Sequence, residues 1–320
     1  MEKIIGIDVS KSFFDSYVKN KNVHSDNNEK GIAKYVGSIP ENSKCVMEST
    51  STYGDKLANA LIKAGHIVYI VNPLQIKHFA KMKLSKVKTD AHDAKLITEF
   101  AKANLNDLRP YQLPSESIQD AKQLETVLAQ LIKQRTALLN EVEALKQYQS
   151  ISKVAMKSLT TTIDFLDKQI EIIEKQIKEK IDAEHKQQRI LIASIKGIGN
   201  KTACLLIALT CGFYNFLNAK QLSSYFGCCP RVCISGSSVK GSNSISKIGL
   251  KDVRTALYMC SLSAVRFNNA CKALYERLIA EGKKPIVARM AAVNLLIRQV
   301  WAVISKNEKF DNNYQNKFAF

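Results

Sequence analysis

Four carboxylates stand where a carboxylate is expensive. Asp8 closes the apolar run Ile5-Gly6-Ile7, and Glu48 closes the run Cys45-Val46-Met47. Asp90 and Asp93 lie three apart at the head of an amphipathic segment, so one helix face carries both. A carboxylate at a strand end needs solvent or a cation. Four at one sheet edge repel one another unless a divalent ion intervenes, and all-oxygen donor sets select Mg²⁺ or Mn²⁺. Two such ions about 4 Å apart are the usual device for in-line displacement at phosphate. Asp90 alone is equally an N-terminal charge favoured by the helix dipole, and Asp93 alone is better read that way. The order strand-Asp, strand-Glu, then Asp-x-x-Asp on a helix is more specific and points to a metal site.

Gly6-Ile7-Asp8 also fits the opening strand of sugar kinases and actin-like ATPases, but no second glycine-rich phosphate loop is present. In the second half, Gly197-Ile198-Gly199 between Lys196 and Lys201 suits a helix-hairpin-helix turn whose backbone approaches phosphate. A plain interhelical turn explains it equally well. Residues 230–241 alternate small residues with the cations Arg231 and Lys240, and Lys247 and Arg254 lie just beyond. Ser235 beside Gly236 is an accessible hydroxyl among cations able to stabilise a pentacovalent phosphate. From spacing alone, a polar loop that touches phosphate without chemistry is the simpler account.

The elements that must position these groups are set by apolar patterning. Short apolar runs at 3–9, 13–18, 45–47 and 66–71 predict strands, and spacing at 54–64 and 90–102 predicts helices. Their alternation predicts an α/β domain over residues 1–115, closed by Pro110 and Pro114. Residues 116–185 lack glycine and proline. Leu124, Leu131, Leu138 and Leu145 recur every seven residues, with Val127 and Val142 near the intermediate seam. After a polar break at 157–162, Ile163, Leu166, Ile170, Ile173 and Ile177 form a second seam. The pattern predicts two long helices, as an antiparallel hairpin or an intermolecular coiled coil. Residues 186–320 are mostly helical, apart from the Gly- and Ser-rich stretch 228–249.

The chain of 320 residues carries 47 Lys and Arg against 29 Asp and Glu, a net charge of +18. Residues 186–320 hold 20 basic and 5 acidic residues and so nearly all of the excess. A field this lopsided attracts polyanions, nucleic acid above all. No uncharged apolar stretch reaches the roughly 18 residues of a membrane span, and no secretion signal opens the sequence. Membrane and secreted classes are not expected. The eight cysteines include no C-x-x-C pair. Cys228, Cys229 and Cys233 are weak zinc candidates, and buried reduced thiols in a cytoplasmic protein are expected.

Taken together these residues resemble one family, the DEDD-type insertion-sequence transposases named after insertion sequence one-ten, which include the Piv invertase. The resemblance is carried by Ile5–Lys11, Met47–Tyr53, Val71-Asn72-Pro73 and Lys88–Ala94. In the second half it runs through Ile195–Gly199, Phe226-Gly227, Pro230-Arg231, Ser235-Gly236, Ser246–Gly249 and Arg254–Leu257. Where the family shows Glu-Ala-Thr-Gly and Gly-Leu-x-Pro, this chain has Glu48-Ser49-Thr50-Ser51 and Gly227-Cys228-Cys229-Pro230. The resemblance implies an α/β-plus-α protein: a RuvC-like RNase H-fold domain at 1–115, a coiled-coil assembly segment at 116–185 and a helical transposase domain at 186–320. It implies Mg²⁺ or Mn²⁺ on Asp8, Glu48, Asp90 and Asp93, and Ser235 as the nucleophile. It further implies donor and target DNA, a non-coding bridge RNA as guide, and homodimers pairing into tetramers.

The expected activity is therefore DNA strand exchange through a phosphoserine intermediate. Lys196, Gly197, Gly199, Lys201, Arg231, Lys240, Lys247 and Arg254 are expected to track phosphates and not to read bases. A RuvC-like Holliday-junction nuclease is the alternative enzyme, separable because it survives loss of Ser235. A non-catalytic nucleic-acid-binding protein is the alternative of another class, and clustered anions argue against it.

Overall fold

The computed structural model describes residues 3–49, 52–85, 89–231 and 244–314, together with the backbone of 234–235 and 239–240. The chain divides into two compact units, Met1–Leu113 and Pro114–Phe320.

The first unit is α/β. Its elements run β1 (Ile4–Val9), β2 (Phe13–Val18), β3 (Lys21–Asp26), α1 (Glu29–Ser38), β4 (Lys44–Glu48), α2 (Asp55–Lys63), β5 (Ile67–Val71), α3 (Pro73–Met82) and α4 (Asp90–Asn104). The strands form one sheet in the order β3-β2-β1-β4-β5. β1, β2 and β3 pair antiparallel through tight turns, whereas β1, β4 and β5 pair parallel. Alternate sheet residues serve two cores. Ile5, Ile7, Val9, Phe14, Cys45 and Met47 pack with Ile32, Tyr35, Leu57 and Leu61. On the opposite face Val46, Tyr69 and Val71 pack with Ile97, Phe100 and Ala101 of α4. Burial on both faces is why the central strands are nearly continuous apolar runs.

The second unit is built on α5 (Glu116–Leu145) and α6 (Lys153–Ala193). Ion pairs Lys180–Asp120 and Arg135–Asp167, both 2.5 Å, fix the two helices antiparallel along each other. Val142, Ile163 and Leu166 are buried between them, whereas Val127 is 47% exposed and lies outside the seam. The chain turns at 146–152, not at the polar stretch 157–162, which is helical. Thr160 and Thr162 send their hydroxyls back to the Met156 and Ser158 carbonyls, which lets a polar stretch stay helical. The real stop is Lys146 to Ile151, after which the Ser152 hydroxyl accepts from Ala155 N–H and caps α6.

The remaining elements are α7 (Asn200–Thr210), α8 (Ala219–Tyr225), the two-residue strands β6 (Pro230–Arg231), β7 (Ile234–Ser235), β8 (Val239–Lys240) and β9 (Ser244–Ile245), then α9 (Lys251–Phe267), α10 (Asn269–Ala280) and α11 (Pro285–Lys306). Ile118, Ala121, Ile177 and Ile181 share one core with Leu206, Leu257 and Leu296, so α5 and α6 are packed together with α7, α9 and α11. Helix α11 is long and apolar enough to cross a membrane. Ala292, Val293, Leu296 and Val300 instead bury it in that core. The stretch 228–249, expected to be irregular, contains nested antiparallel pairs, β6 with β9 outside and β7 with β8 inside.

Candidate active site

Asp8 stands one residue before the end of β1, and Glu48 ends β4. Parallel pairing of Ile7 with Met47 makes Asp8 and Glu48 next in register at one edge. In sheets of this kind ligands gather beyond the carboxyl ends of the strands. Ser49 N–H donates to Val71 O at 2.9 Å and carries the β4–β5 ladder past Glu48. Asp90 and Asp93 fill the first turn of α4, where the Thr89 hydroxyl accepts from His92 N–H at 3.2 Å and starts the helix.

Gly6 brings α4 and β1 together. Its N–H donates to the buried Thr98 hydroxyl at 2.8 Å. A Cβ at Gly6 would meet the Ala94 carbonyl and Thr98 nitrogen and would lie 2.6 Å from Thr98 Oγ1. Absence of a side chain at residue 6 is thus what lets the helix bearing Asp90 and Asp93 lie on the strand bearing Asp8. Asn27 fastens the same edge, donating through Nδ2 to the Ser10 carbonyl at 2.8 Å and the Tyr53 carbonyl at 3.1 Å.

Burial, together with the charges of Asp93, Glu48, Asp90 and Asp15, pushes the Asp8 carboxyl up to about 6. The four expected carboxylates therefore act on one another from three separate elements. Mutual repulsion of this kind is what a hard cation relieves, and the donors are all oxygen. Among the described residues no three His, Cys, Asp or Glu side chains are already gathered as a metal-ion cage. Asp15, which raises Asp8 and is itself buried, has no counterpart among the residues expected from sequence. Nor do Gly6, Asn27 and Thr98. Only Gly6 carried a signal, a glycine inside an apolar strand.

In the second unit, Lys196, Lys201, Arg231 and Lys247 are exposed. Lys201 pairs with Glu174 at 2.7 Å. Half-buried Arg254 donates to the Phe226 carbonyl at 3.0 Å, tying α9 to the end of α8. Gly197 and Gly199 differ. Gly197 has φ +105°, and a Cβ there would lie 2.7 Å from the Ala264 methyl, so this glycine serves close packing on α9. Gly199 caps α7 and has nothing within 4 Å of a built Cβ, while its carbonyl accepts from Ala203 N–H at 3.0 Å and its backbone meets the Cys260 thiol. Ser235 pairs with Val239 in β7–β8 and Lys240 pairs with Ile234. The side chains of Ser235 and Lys240 lie outside the described residues, as does Cys233. Cys228 is buried and its thiol pushed up to about 11, the reverse of what a zinc thiolate needs. A cavity of about 530 Å³ among α5, α6 and α7 is lined by Leu128, Ile132, Leu205 and the buried Glu125. Burial, with help from Glu174, pushes the Glu125 carboxyl up to about 7.

Comparison with known proteins meets this geometry over nearly the whole chain. The profile of the DEDD transposase domain of IS110, described as a transposase, matches residues 5–149 and so contains all four carboxylates. The profile described as Transposase IS116/IS110/IS902 family matches residues 190–276, which contain Ser235 and every expected phosphate contact. The pilin gene-inverting protein of Moraxella bovis is 33% identical over 96% of this chain and 97% of its own length. That of Moraxella lacunata is 32% identical over the same shares. The transposase for insertion sequence element IS1111A of Coxiella burnetii is 24% identical over 96% of this chain and 91% of its own. Carboxylates converging in the first unit, basic residues concentrated in the second and similarity across both halves lead to one assignment: this chain belongs to the IS110 family of transposases.

Proposed function

We propose that the chain is an RNA-guided DNA recombinase that cuts and exchanges strands, using a divalent-metal carboxylate site and a serine nucleophile. The observation that carries the reading is the placement of Asp8 and Glu48 in adjacent register at one sheet edge, with burial and the charges of Asp93, Glu48 and Asp90 raising the Asp8 carboxyl. The sheet order β3-β2-β1-β4-β5, antiparallel then parallel, supports a RuvC-like RNase H fold. Asp8, Glu48, Asp90 and Asp93 would hold Mg²⁺ or Mn²⁺, their side chains drawing inward to do so. A divalent ion there supplies Lewis-acid polarisation of phosphate and charge for the developing oxyanion.

The remaining roles belong to the chain's own groups. Lys196, Lys201, Arg231, Lys240 and Lys247 hold DNA by its phosphates, beside the helix start at Gly199. Ser235 Oγ attacks a backbone phosphorus. The Oγ–P bond forms, the P–O3′ bond breaks, and the serine proton ends on the released 3′-oxygen. A 3′-hydroxyl of the partner strand then attacks the phosphoserine and restores the serine, so strands exchange without hydrolysis. Donor and target DNA are selected by pairing with a bridge RNA, which leaves phosphates as the protein's main contact. Exposed Val127, Ile132, Phe165 and Ile172 on the α5–α6 hairpin support assembly into homodimers that pair as tetramers.

The test is a denaturing gel after incubation of the protein with guide RNA, both DNAs and Mg²⁺. A covalent protein–DNA adduct is expected from wild type, Ser237→Ala and Ser238→Ala, and none from Ser235→Ala. An adduct that survives Ser235→Ala would move the chemistry to another hydroxyl. Cleavage that survives it with no adduct in any variant would leave a water-using nuclease.

A further inference from the structure

A fifth carboxylate flanks the site. Asp15 on β2 is the direct antiparallel partner of Asp8, so both side chains leave the same face of the sheet. Like charges placed directly opposite destabilise a strand pair. Asp15 is only 7% exposed, so water does little to relieve the repulsion. One strand further out, His24 of β3 lies opposite Asp15. Its Nδ1–H donates to Asp15 Oδ1 at 3.1 Å. The imidazole also rests on the Phe13 ring, with 4.9 Å between centroids. Carboxyl, carboxyl and imidazole thus form a row across three strands, from Asp8 inside to an exposed histidine outside.

A buried acid with one histidine partner is an ordinary structural device when its surroundings are neutral. Here it faces Asp8, on which the charges of Asp93, Glu48 and Asp90 also act. A strand pair needing only stability has no use for that opposition, whereas a cation site gains from every fixed negative charge beside it. We propose that Asp15, fixed by His24, is a positioning residue of the carboxylate site that strengthens divalent-cation binding at Asp8. The inference rests on the metal reading of Asp8, Glu48, Asp90 and Asp93.

Mn²⁺ titration of the metal-free full chain, followed by electron paramagnetic resonance of the free ion, separates the two. Asp15→Asn keeps the shape and still accepts from His24. It should weaken Mn²⁺ binding roughly ten-fold while leaving the thermal stability of metal-free protein undiminished. His24→Ala keeps the charge but frees the carboxyl, and a smaller weakening is expected. A structural role predicts the reverse, lost stability with unchanged affinity. Wild-type affinity in Asp15→Asn, with binding abolished in Asp8→Asn, would overturn the inference and leave the metal reading intact. Should Asp15→Asn not fold, unchanged affinity in His24→Ala overturns it instead. Wild-type protein that takes up no Mn²⁺ would overturn both.

Discussion

Replacing Gly6 by alanine is the sharpest test of how the site is held. No unusual φ is needed at residue 6, so the consequence is steric. The added Cβ starts 2.6 Å from Thr98 Oγ1, where ordinary contact begins near 3.4 Å. Helix α4 must therefore retreat by about 0.8 Å, the difference between those two distances, and further to clear the Ala94 and Thr98 backbone. Overpacking of this kind costs about 1–3 kcal/mol. The lost Gly6–Thr98 hydrogen bond adds about 1 kcal/mol. The better strand propensity of alanine returns about half a kcal/mol or more. A net loss of about 2–3 kcal/mol is expected. Displacing Asp90 and Asp93 by about 1 Å should slow cleavage on the order of a hundred-fold. Hydrogen exchange of β1, β4 and α4 peptides should show lost protection, while unfolding reported by Trp301 in the second unit stays unchanged. Gly37→Ala, in helix α1 with open space around it, should be neutral or stabilising. Because the clash is with backbone, trimming Thr98 to alanine should not rescue Gly6→Ala. Rescue, or a Gly6→Ala chain with wild-type protection and rate, would refute the account.

Glu125→Gln should stabilise the second unit at pH 8.5 and not at pH 4.5. The folded carboxyl sits near 7 against an ordinary 4.5, so the folded state prefers the proton and loses stability as pH rises between those values. The gain is at most about 3 kcal/mol, read from Trp301 fluorescence in urea at the two pH values. Gly197→Ala should cost about 2 kcal/mol or more from its positive φ and the Ala264 clash, seen in the same melt. Gly199→Ala should cost at most about 1 kcal/mol in that melt, because alanine is the poorer N-cap for α7 and meets no clash there. Glutamates at Phe165 and Ile172, both exposed on α6, should lower the mass measured by light scattering without altering the helix content.

Strands β1, β2, β4 and β5 were legible because burial makes their residues apolar. Edge strand β3 was not. Its residues Lys21 to Asp26 are mostly polar and exposed, and pairing with β2 alone makes it a strand. Helix α1 hid behind two glycines, although Asn28 caps it by accepting from Gly31 N–H. Helix α3 carried a readable start in Asn72-Pro73, with Asn72 capping Leu74. The four carboxylates stood out by order and spacing. Asp15 did not, because within Phe13 to Val18 it reads as a solvent-facing position. It is buried because the face it shares with Asp8 is the one α4 covers. The helical hairpin showed in its heptads, but its turn did not, since polarity alone does not end a helix whose threonines bond to their own backbone.

The Gly6–Thr98 hydrogen bond spans 92 positions of sequence. Pairings this distant form slowly, because the chain between them must be ordered before they return any energy. Strand β1 therefore waits for α4, the last α-helix of its unit, before Asp8 meets Asp93. On a ribosome the first unit is complete once residue 113 has cleared the exit tunnel, while Ser235 is still unmade. At ordinary elongation rates the interval is on the order of ten seconds. A chain interrupted in that interval would bear the carboxylates without the hydroxyl that the proposed mechanism pairs with them. On that mechanism it would take up a cation and be unable to join itself to DNA.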